Sequence, residues 1–356
     1  FQGLKNKILY IKTNNSRKIL SEIASKIYKH KPKNLIAVTG TNGKSSIVNF
    51  YYQILELNNK KVASIGTLGI KTKLNKKEIK NTSLDTISLN KYLQEIKKLN
   101  IENVILEASS HGLKQHRLDG INFDTGIFTN LSRDHLDYHK SYKDYLKSKL
   151  ILFKNLLKKN SNVITDIDIP EYKKINKITI SKRQKIFTIG FKKGSLELLK
   201  HSYADDKQIF QIKYKNKTYK MIVNLIGKVQ IKNILMAMLA AEKSNLKFEK
   251  IVKSVNKIQN VHGRFEKIGN LKNNSKIILD YAHTPDALEN CLYNLQEQFN
   301  NKKIAIVFGC GGDRDKAKRF QMGKIADKFC NKVYLTDDNP RFENPKKIRL
   351  AIKKSI

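Results

Sequence analysis

The chain has 356 residues, 40% hydrophobic and 8% aromatic, which suits two or three packed domains better than one small core. No apolar run approaches the roughly 20 residues of a membrane-spanning helix, and the opening FQGLKNKILY lacks the apolar core and cleavage site of a signal peptide, so a soluble, cytoplasmic protein is expected. The formal charge of +39 raises nucleic acid as a partner, but the lysines are scattered beside Asn and Ile with no RNA-binding or zinc-finger pattern, so the excess reads as a codon bias as much as a binding surface, while still favouring anionic ligands.

Residues 1–32 read as a short strand (Ile8–Ile11) and a helix (Ser16–Lys29) closed by Pro32. The apolar run Asn34–Thr39 then enters a glycine loop followed by a helix over Lys44–Leu57, the strand–loop–helix start of a parallel α/β unit. Helix Ser88–Leu99 precedes the buried-strand run Val104–Leu106, and strand Thr125–Thr129 precedes a helix over Tyr142–Leu157. Over Gly194–Leu225 the pattern changes to short alternating segments, which predict antiparallel strands. After a helix at Ile231–Lys243, α/β alternation restarts at Lys276 with helices Asp286–Phe299 and Lys316–Cys330. The expected division is a remnant at 1–32, a central domain at 33–257 and a C-terminal domain at 258–356. Cys291, Cys310 and Cys330 show no CxxC spacing and read as reduced thiols.

Gly40-Thr41-Asn42-Gly43-Lys44-Ser45 matches GxxGK[ST], directly after a predicted strand and opening a helix. The glycines let backbone wrap an anion, and the helix N-terminus aims N–H groups at phosphate. Lys44 can neutralise the β- and γ-phosphates of ATP, and the Ser45 hydroxyl can ligate Mg²⁺. Glu107 ends the apolar strand NVILE, and strand Thr125–Thr129 runs on toward His135, so both are expected at the sheet edge where open α/β proteins bind ligands. A carboxylate and an imidazole can hold Mg²⁺, although imidazole is a mediocre ligand for it and a third oxygen donor is wanted.

The run VTGTNGKSS resembles the nucleotide loop of the Mur ligases and of their relative folylpolyglutamate synthase. That resemblance implies a P-loop central domain, a parallel sheet with helices plus a smaller antiparallel portion, followed by a Rossmann-like α/β C-terminal domain. It extends the ATP site to Thr39, Gly40, Thr41, Asn42, Gly43, Lys44, Ser45 and Ser46, with Asn233, Arg264 and Asp280 further along. In the family a lysine of the stretch matching YHKSYKDYLKSKLILF is carbamylated; the register favours Lys149 over the nearby Lys147, and an anionic carbamate would supply the missing oxygen. The implied catalytic set is Lys44, Glu107, His135 and Lys149, and the implied metal set is Ser45, Glu107, His135 and carbamylated Lys149.

EASSHGLKQHR (Glu107–Arg117) resembles the Mur segment that holds a UDP-muramoyl-dipeptide, implying that Ser109, Gln115 and Arg117 contact UDP-N-acetylmuramoyl-L-alanyl-D-glutamate, together with Asn81, Thr82 and Ser83. Asp338-Asn339-Pro340-Arg341 matches the family's amino-acid selector for meso-2,6-diaminopimelate, and a guanidinium there can pair with the distal carboxylate while repelling lysine's ammonium. Two departures stand out: Gln230 and Val229 replace the Asn and Phe of GxFNxxN, and His262 replaces the Pro of PGRFE. The implied enzyme is a monomer that forms an amide through an acyl phosphate in peptidoglycan synthesis. A lysine-adding Mur ligase and a folylpolyglutamate-synthase-like ligase are the alternatives. The missing initial Met and the uncapped end KKIRLAIKKSI lead us to expect a chain cut at both ends, inactive or weak by itself.

Overall fold

The structure is a computed structural model that describes residues 3–5, 8–79, 82–135, 138–300 and 302–356. Strands β1 (Gly3–Lys5) and β2 (Ile8–Tyr10) pair antiparallel ahead of α1 (Ser16–Ile27), which starts where the Asn15 side chain accepts the Lys18 N–H. There follow β3 (Asn34–Thr39), α2 (Lys44–Leu57), β4 (Val62–Gly66), β5 (Gly69–Lys71), β6 (Lys76–Lys77), α3 (Thr86–Lys98), β7 (Asn103–Glu107), α4 (Ser110–Lys114) and β8 (Phe123–Phe128). Then come α5 (Tyr142–Ile151), β9 (Leu157–Asp166), α6 (Tyr172–Ser181), β10 (Lys185–Phe191), β11 (Leu196–Ala204), β12 (Lys207–Tyr214), β13 (Lys217–Val223), α7 (Lys228–Lys243) and α8 (Phe248–Val255).

All strands from β3 to β13 join one eleven-stranded sheet, ordered β13-β12-β11-β10-β9-β8-β3-β7-β4-β5-β6. From β4 across to β11 the neighbours run parallel, and antiparallel strands finish both edges. The alternating segments after Gly194 therefore extend the main sheet instead of forming a separate insertion. The central strands are buried on both faces, which is why β3 reads as an unbroken apolar run. One core gathers Ile36, Val38 and Ile105 against Phe50, Tyr51 and Met238 of α2 and α7; the other gathers Leu35, Leu106 and Phe128 against Leu93 and Leu150 of α3 and α5.

Two helices differ from expectation. The helix from Tyr142 stops at Ile151, where a π turn over Leu152–Leu156 buries Leu152, Phe153 and Leu156 and turns the chain into β9. Helix α7 starts at Lys228, three residues before the predicted Ile231, because Gly227 takes the left-handed φ of +86° that ends the preceding turn.

The remaining chain forms β14 (Glu266–Asn270) antiparallel to β15 (Lys276–Leu279), α9 (Pro285–Gln298), β16 (Ala305–Phe308), α10 (Ala317–Phe329), β17 (Lys332–Leu335) parallel to β16, and α11 (Pro345–Lys353). Leu288, Leu292, Met322, Ile348 and Ile352 form its core. It meets the main sheet at the β11–β12 turn, where Asp206 pairs with Lys267 and Lys276, Asp205 pairs with Lys276, and Gln298 donates to the Asp205 carbonyl. Among the described residues no helix is long and apolar enough to cross a membrane.

Candidate active site

Strand β3 sits between β7 and β8, all parallel; the chain leaves β3 toward β4 on the β7 side and leaves β8 toward β9 on the other. A crevice opens at such a point beyond the C-terminal ends of the strands, where three chain segments converge. The first is the glycine loop after β3. Gly40 has no room for a Cβ beside the Thr129 hydroxyl, and Gly43 (φ +88°) would place one 2.5 Å from Asn233 Oδ1. Thr41 N–H donates to the Asn130 carbonyl at 2.9 Å and Asn42 N–H to the Asn130 side chain at 2.9 Å, so the loop is fastened to the segment after β8.

Glu107 ends β7 as a 2% exposed carboxylate. Its Oε1 accepts from the Ser45 hydroxyl at 3.0 Å and from Thr67 N–H at 2.8 Å, and its Oε2 from the Thr67 hydroxyl at 3.3 Å. It fits there because Gly66 lacks a Cβ, which would collide with the carboxylate. Lys44 curls over the loop, donating to the Gly40 and Thr41 carbonyls at 3.0 and 2.7 Å. Burial holds its ammonium below the ordinary lysine range, with Glu107 and Asp134 opposing the shift. Lys149 of α5 is 1% exposed and donates to the Gly40 carbonyl at 2.6 Å. Burial first, then the charge of Lys44, push its amine well below the ordinary lysine range.

A cleft of about 520 Å³ opens over these groups, closed on its far side by Arg264, Asp280 and the start of α9. Arg264 reaches the Ser45 hydroxyl at 3.4 Å and stacks 4.4 Å from the Tyr281 ring centre. Asp280 accepts the Phe265 and Ala282 N–H groups at 2.8 and 2.9 Å, and burial raises its pKa. Asp286 of α9 accepts from the Asn42 amide at 3.2 Å across the cleft.

Residues 38–241 match the Mur ligase middle domain, and residues 263–356 match the Mur ligase glutamate ligase domain. The chain belongs to the Mur ligase family. A Rickettsia montanensis protein named UDP-N-acetylmuramoyl-L-alanyl-D-glutamate--2,6-diaminopimelate ligase is 40% identical over 352 residues, 98% of this chain and 72% of that protein. A solved structure with the same ligase title is 32% identical with a TM-score of 0.72, covering 96% of this chain and 70% of that one. A Mycobacterium tuberculosis folylpolyglutamate synthase complexed with ADP shares the fold at a TM-score of 0.79 but only 13% identity, with 96% of this chain and 83% of that chain covered.

The Mur loop residues Thr41 to Ser46, with Thr82, Glu107, Ser109, His135, Lys149, Asn233, Arg264 and Asp280, line the one cleft. Thr39 and Gly40 lie behind the loop as buried support. Ser83 bonds Ser109 Oγ at 2.9 Å, and Arg117 donates to the Ser83 carbonyl at 2.8 Å and to Gln115 Oε1, so the expected dipeptide-binding residues form one connected patch beside the cleft. Asn81 lies outside the described residues. His135 shares the cleft, but its ring sits 3.3 Å from Asp134 and 4.9 Å from the His111 ring. Among the described residues no three His, Cys, Asp or Glu side chains are arranged so as to hold one metal ion. Ser45 and Glu107 are hard oxygen donors already in contact, which suits Mg²⁺.

Asp338–Arg341 do not line this cleft; they fold onto the glycine loop after β16, Arg341 donating to the Gly312 carbonyl at 2.6 Å. Thr67, Asn130, Asp134, Tyr145 and Asp286 line the cleft without having been singled out from the sequence. Asn130 and Asp134 sit in NLSRDHLDYH, so the motif held that signal; Thr67 stands in a turn with no pattern. Gln230, the departure from the family spelling, accepts from Asn233 Nδ2 at 3.0 Å and so props the residue beneath Gly43.

Proposed function

We propose that the protein is an ATP-dependent amide ligase joining meso-2,6-diaminopimelate to UDP-N-acetylmuramoyl-L-alanyl-D-glutamate in peptidoglycan synthesis. The observation that carries the reading is the contact of Ser45 with Glu107 at the mouth of the phosphate loop, with Lys44, Lys149 and Arg264 converging on the same cleft. In this reading residues 33–257 bind ATP, residues 258–356 form the glutamate-ligase domain, and the protein works as a monomer in the cytoplasm, where ATP is available.

A carboxylate oxygen of the D-glutamyl side chain attacks the γ-phosphorus, the bond from phosphorus to the bridging oxygen breaks, and ADP leaves. The amine nitrogen of diaminopimelate then attacks the acyl carbon, loses a proton, and phosphate departs with the former carboxylate oxygen. Lys44 and Arg264 hold negative charge on the transferring group, and preorganised cations of this kind supply much of the catalysis in phosphoryl transfer. Helix α2 aims its free N–H groups at the same phosphates. Asn233 serves the adenine side and Asp280 accepts a ribose hydroxyl, while Thr82, Ser83, Ser109, Gln115 and Arg117 hold the UDP-linked acceptor. Arg341, with Asp338 and Asn339, takes the distal carboxylate of the amino acid. Mg²⁺ held by Ser45 and Glu107, with His135 and carbamylated Lys149 as further donors, would screen the phosphate oxygens. The low proton affinity of Lys149 supports carbamylation, because a neutral amine adds to CO₂ and releases one proton.

The test is ADP release by a full-length version of the protein with the UDP-linked acceptor and either diaminopimelate or lysine. Diaminopimelate should be preferred, and Arg341→Met should erase the preference. Equal or better use of lysine by the unaltered protein would sink the amino-acid assignment.

A further inference from the structure

The chain segment that follows β17 is held by a device lying outside the catalytic cleft. Arg319, in the first turn of α10, is 4% exposed, and a buried guanidinium is unfavourable unless paired. Glu343 takes it in a two-pronged pairing, at 3.0 Å from Nη1 and 2.8 Å from Nη2. Glu343 Oε1 also accepts the Asp313 N–H at 2.6 Å, and these bonds hold its carboxyl down at about 2. Arg319 Nη2 extends to the Gly311 carbonyl at 3.5 Å.

One ion pair thus ties α10, the loop after β16 and the loop after β17. The two loops are also packed backbone against backbone: a Cβ on Gly309 would strike the Thr336 carbonyl, and one on Gly312 the Pro340 carbonyl. Gly312 N–H donates to the Asn339 carbonyl at 2.9 Å, and Phe342 N–H donates to Asp313 Oδ2 at 3.0 Å. Arg341 and Asp313 each hold a left-handed backbone, φ +49° in both. Residues other than glycine keep that conformation only where the surroundings dictate it. The pair is not tuned for stability alone, because Arg319 Nε is buried with no partner among the described residues. A buried ion pair can often be replaced by well-packed apolar side chains of similar volume without loss of stability.

We propose that Arg319 and Glu343 are positioning residues for amino-acid selection: they clamp the loops 309–313 and 336–343 together and so fix the guanidinium of Arg341 for the distal carboxylate of the incoming amino acid. This rests on the reading of Arg341 given above.

Glu343→Gln and the double variant R319M/E343L separate positioning from folding, since the second removes the buried charges while filling the space. Both should raise KM for diaminopimelate by roughly tenfold or more and lower the preference over lysine, with KM for ATP and for the UDP-linked acceptor unchanged. The double variant should keep the melting temperature of the unaltered protein. Unchanged diaminopimelate KM and selectivity in both variants would overturn the proposal alone. A parallel loss in all three KM values, kcat and melting temperature would also overturn it, by showing a structural role only. No amino-acid-dependent ADP release by the unaltered full-length protein would overturn the functional reading, and this proposal with it.

Discussion

Glu107→Gln should separate the fold of this site from its chemistry. The substitution keeps size and shape, and a glutamine Oε1 can still accept from the Ser45 hydroxyl at 3.0 Å and Thr67 N–H at 2.8 Å, while its amide turns toward the Thr67 hydroxyl. Hydrogen bonds to a charged acceptor contribute about 1.5–3 kcal/mol and neutral ones about 0.5–1.5, so two weakened bonds amount to roughly 2 kcal/mol. Relief of a buried charge offsets part of that loss. The melting temperature should fall by no more than roughly 4–8 °C at about 2–4 °C per kcal/mol. The functional loss is larger, because in the proposed reading this carboxylate holds the Mg²⁺ that would screen the phosphate oxygens, and losing one such preorganised interaction costs about 10²–10³ in rate. Thermal melts and ADP release on the same preparations decide the matter. A variant that melts normally and keeps more than half its activity would refute the role given to Glu107. One that fails to fold would show the carboxylate to be mainly structural. Glu107→Ala is the contrast, since it strands Thr67 N–H and opens a hole, and should damage both properties.

Lys149→Met removes a buried group that, in CO₂-free buffer where no carbamate forms, is an amine whose proton affinity burial holds well below the ordinary lysine value of 10.5. Between the folded and unfolded pKa values unfolding takes up a proton, so the unaltered protein gains stability as pH rises through that window and the gain stops above about 10.5. The variant lacks this dependence; its stability relative to the unaltered protein should be greatest at low pH and decline toward alkaline pH, by about 1.4 kcal/mol for each tenfold in proton affinity. Denaturant melts at about pH 6 and about pH 9 read this directly, and a stability difference that does not change with pH would contradict the buried neutral amine. Gly43→Ala forces a left-handed φ of +88° and puts a methyl 2.5 Å from Asn233 Oδ1. It should destabilise by about 1–3 kcal/mol and weaken binding of an ATP analogue, measured by titration; wild-type affinity would mean that the loop yields freely.

The phosphate loop was legible because its function lies in backbone conformation, and glycines at fixed spacing declare that conformation in the sequence. Glu107 was legible as the residue that ends β7, whereas His135 lies well beyond the end of β8 at Phe128, in an irregular segment that the strand pattern alone does not place. The choice of Lys149 over Lys147 gains physical support from the helix, since Lys149 shares the buried side with Tyr145, Leu146 and Leu150 while Lys147 is exposed. Other features depend on approaches between distant segments. Thr67 touches Glu107 only because Gly66 leaves space, and nothing in the local sequence says which carboxylate arrives. Arg319 and Glu343 lie 24 residues apart, in a helix and after a turn, and neither looks different from a surface charge until the loops meet. The strands after Gly194 announced themselves by alternation, yet alternation is local and carries no word on which sheet they join.

The β11–β12 turn gives the molecule a mechanical asymmetry. On that side the carboxylates of Asp205 and Asp206 grip Lys267 and Lys276 at 2.6–2.8 Å, and Gln298 adds a bond at 2.9 Å. Helix α9 is also held to the start of α7, Gln298 accepting the Gly227 N–H at 2.8 Å and Asn294 the Val229 N–H at 3.1 Å, whereas across the cleft mouth the contacts are longer, Asn42 to Asp286 at 3.2 Å and Arg264 to Ser45 at 3.4 Å. A force that pulls residues 264–356 away from the sheet parts the long bonds at the cleft mouth first and turns about the β11–β12 turn and the seam of α9 with the start of α7. The β11–β12 hairpin, one strand in from the edge of the sheet, is thereby also part of the axle on which the cleft can open.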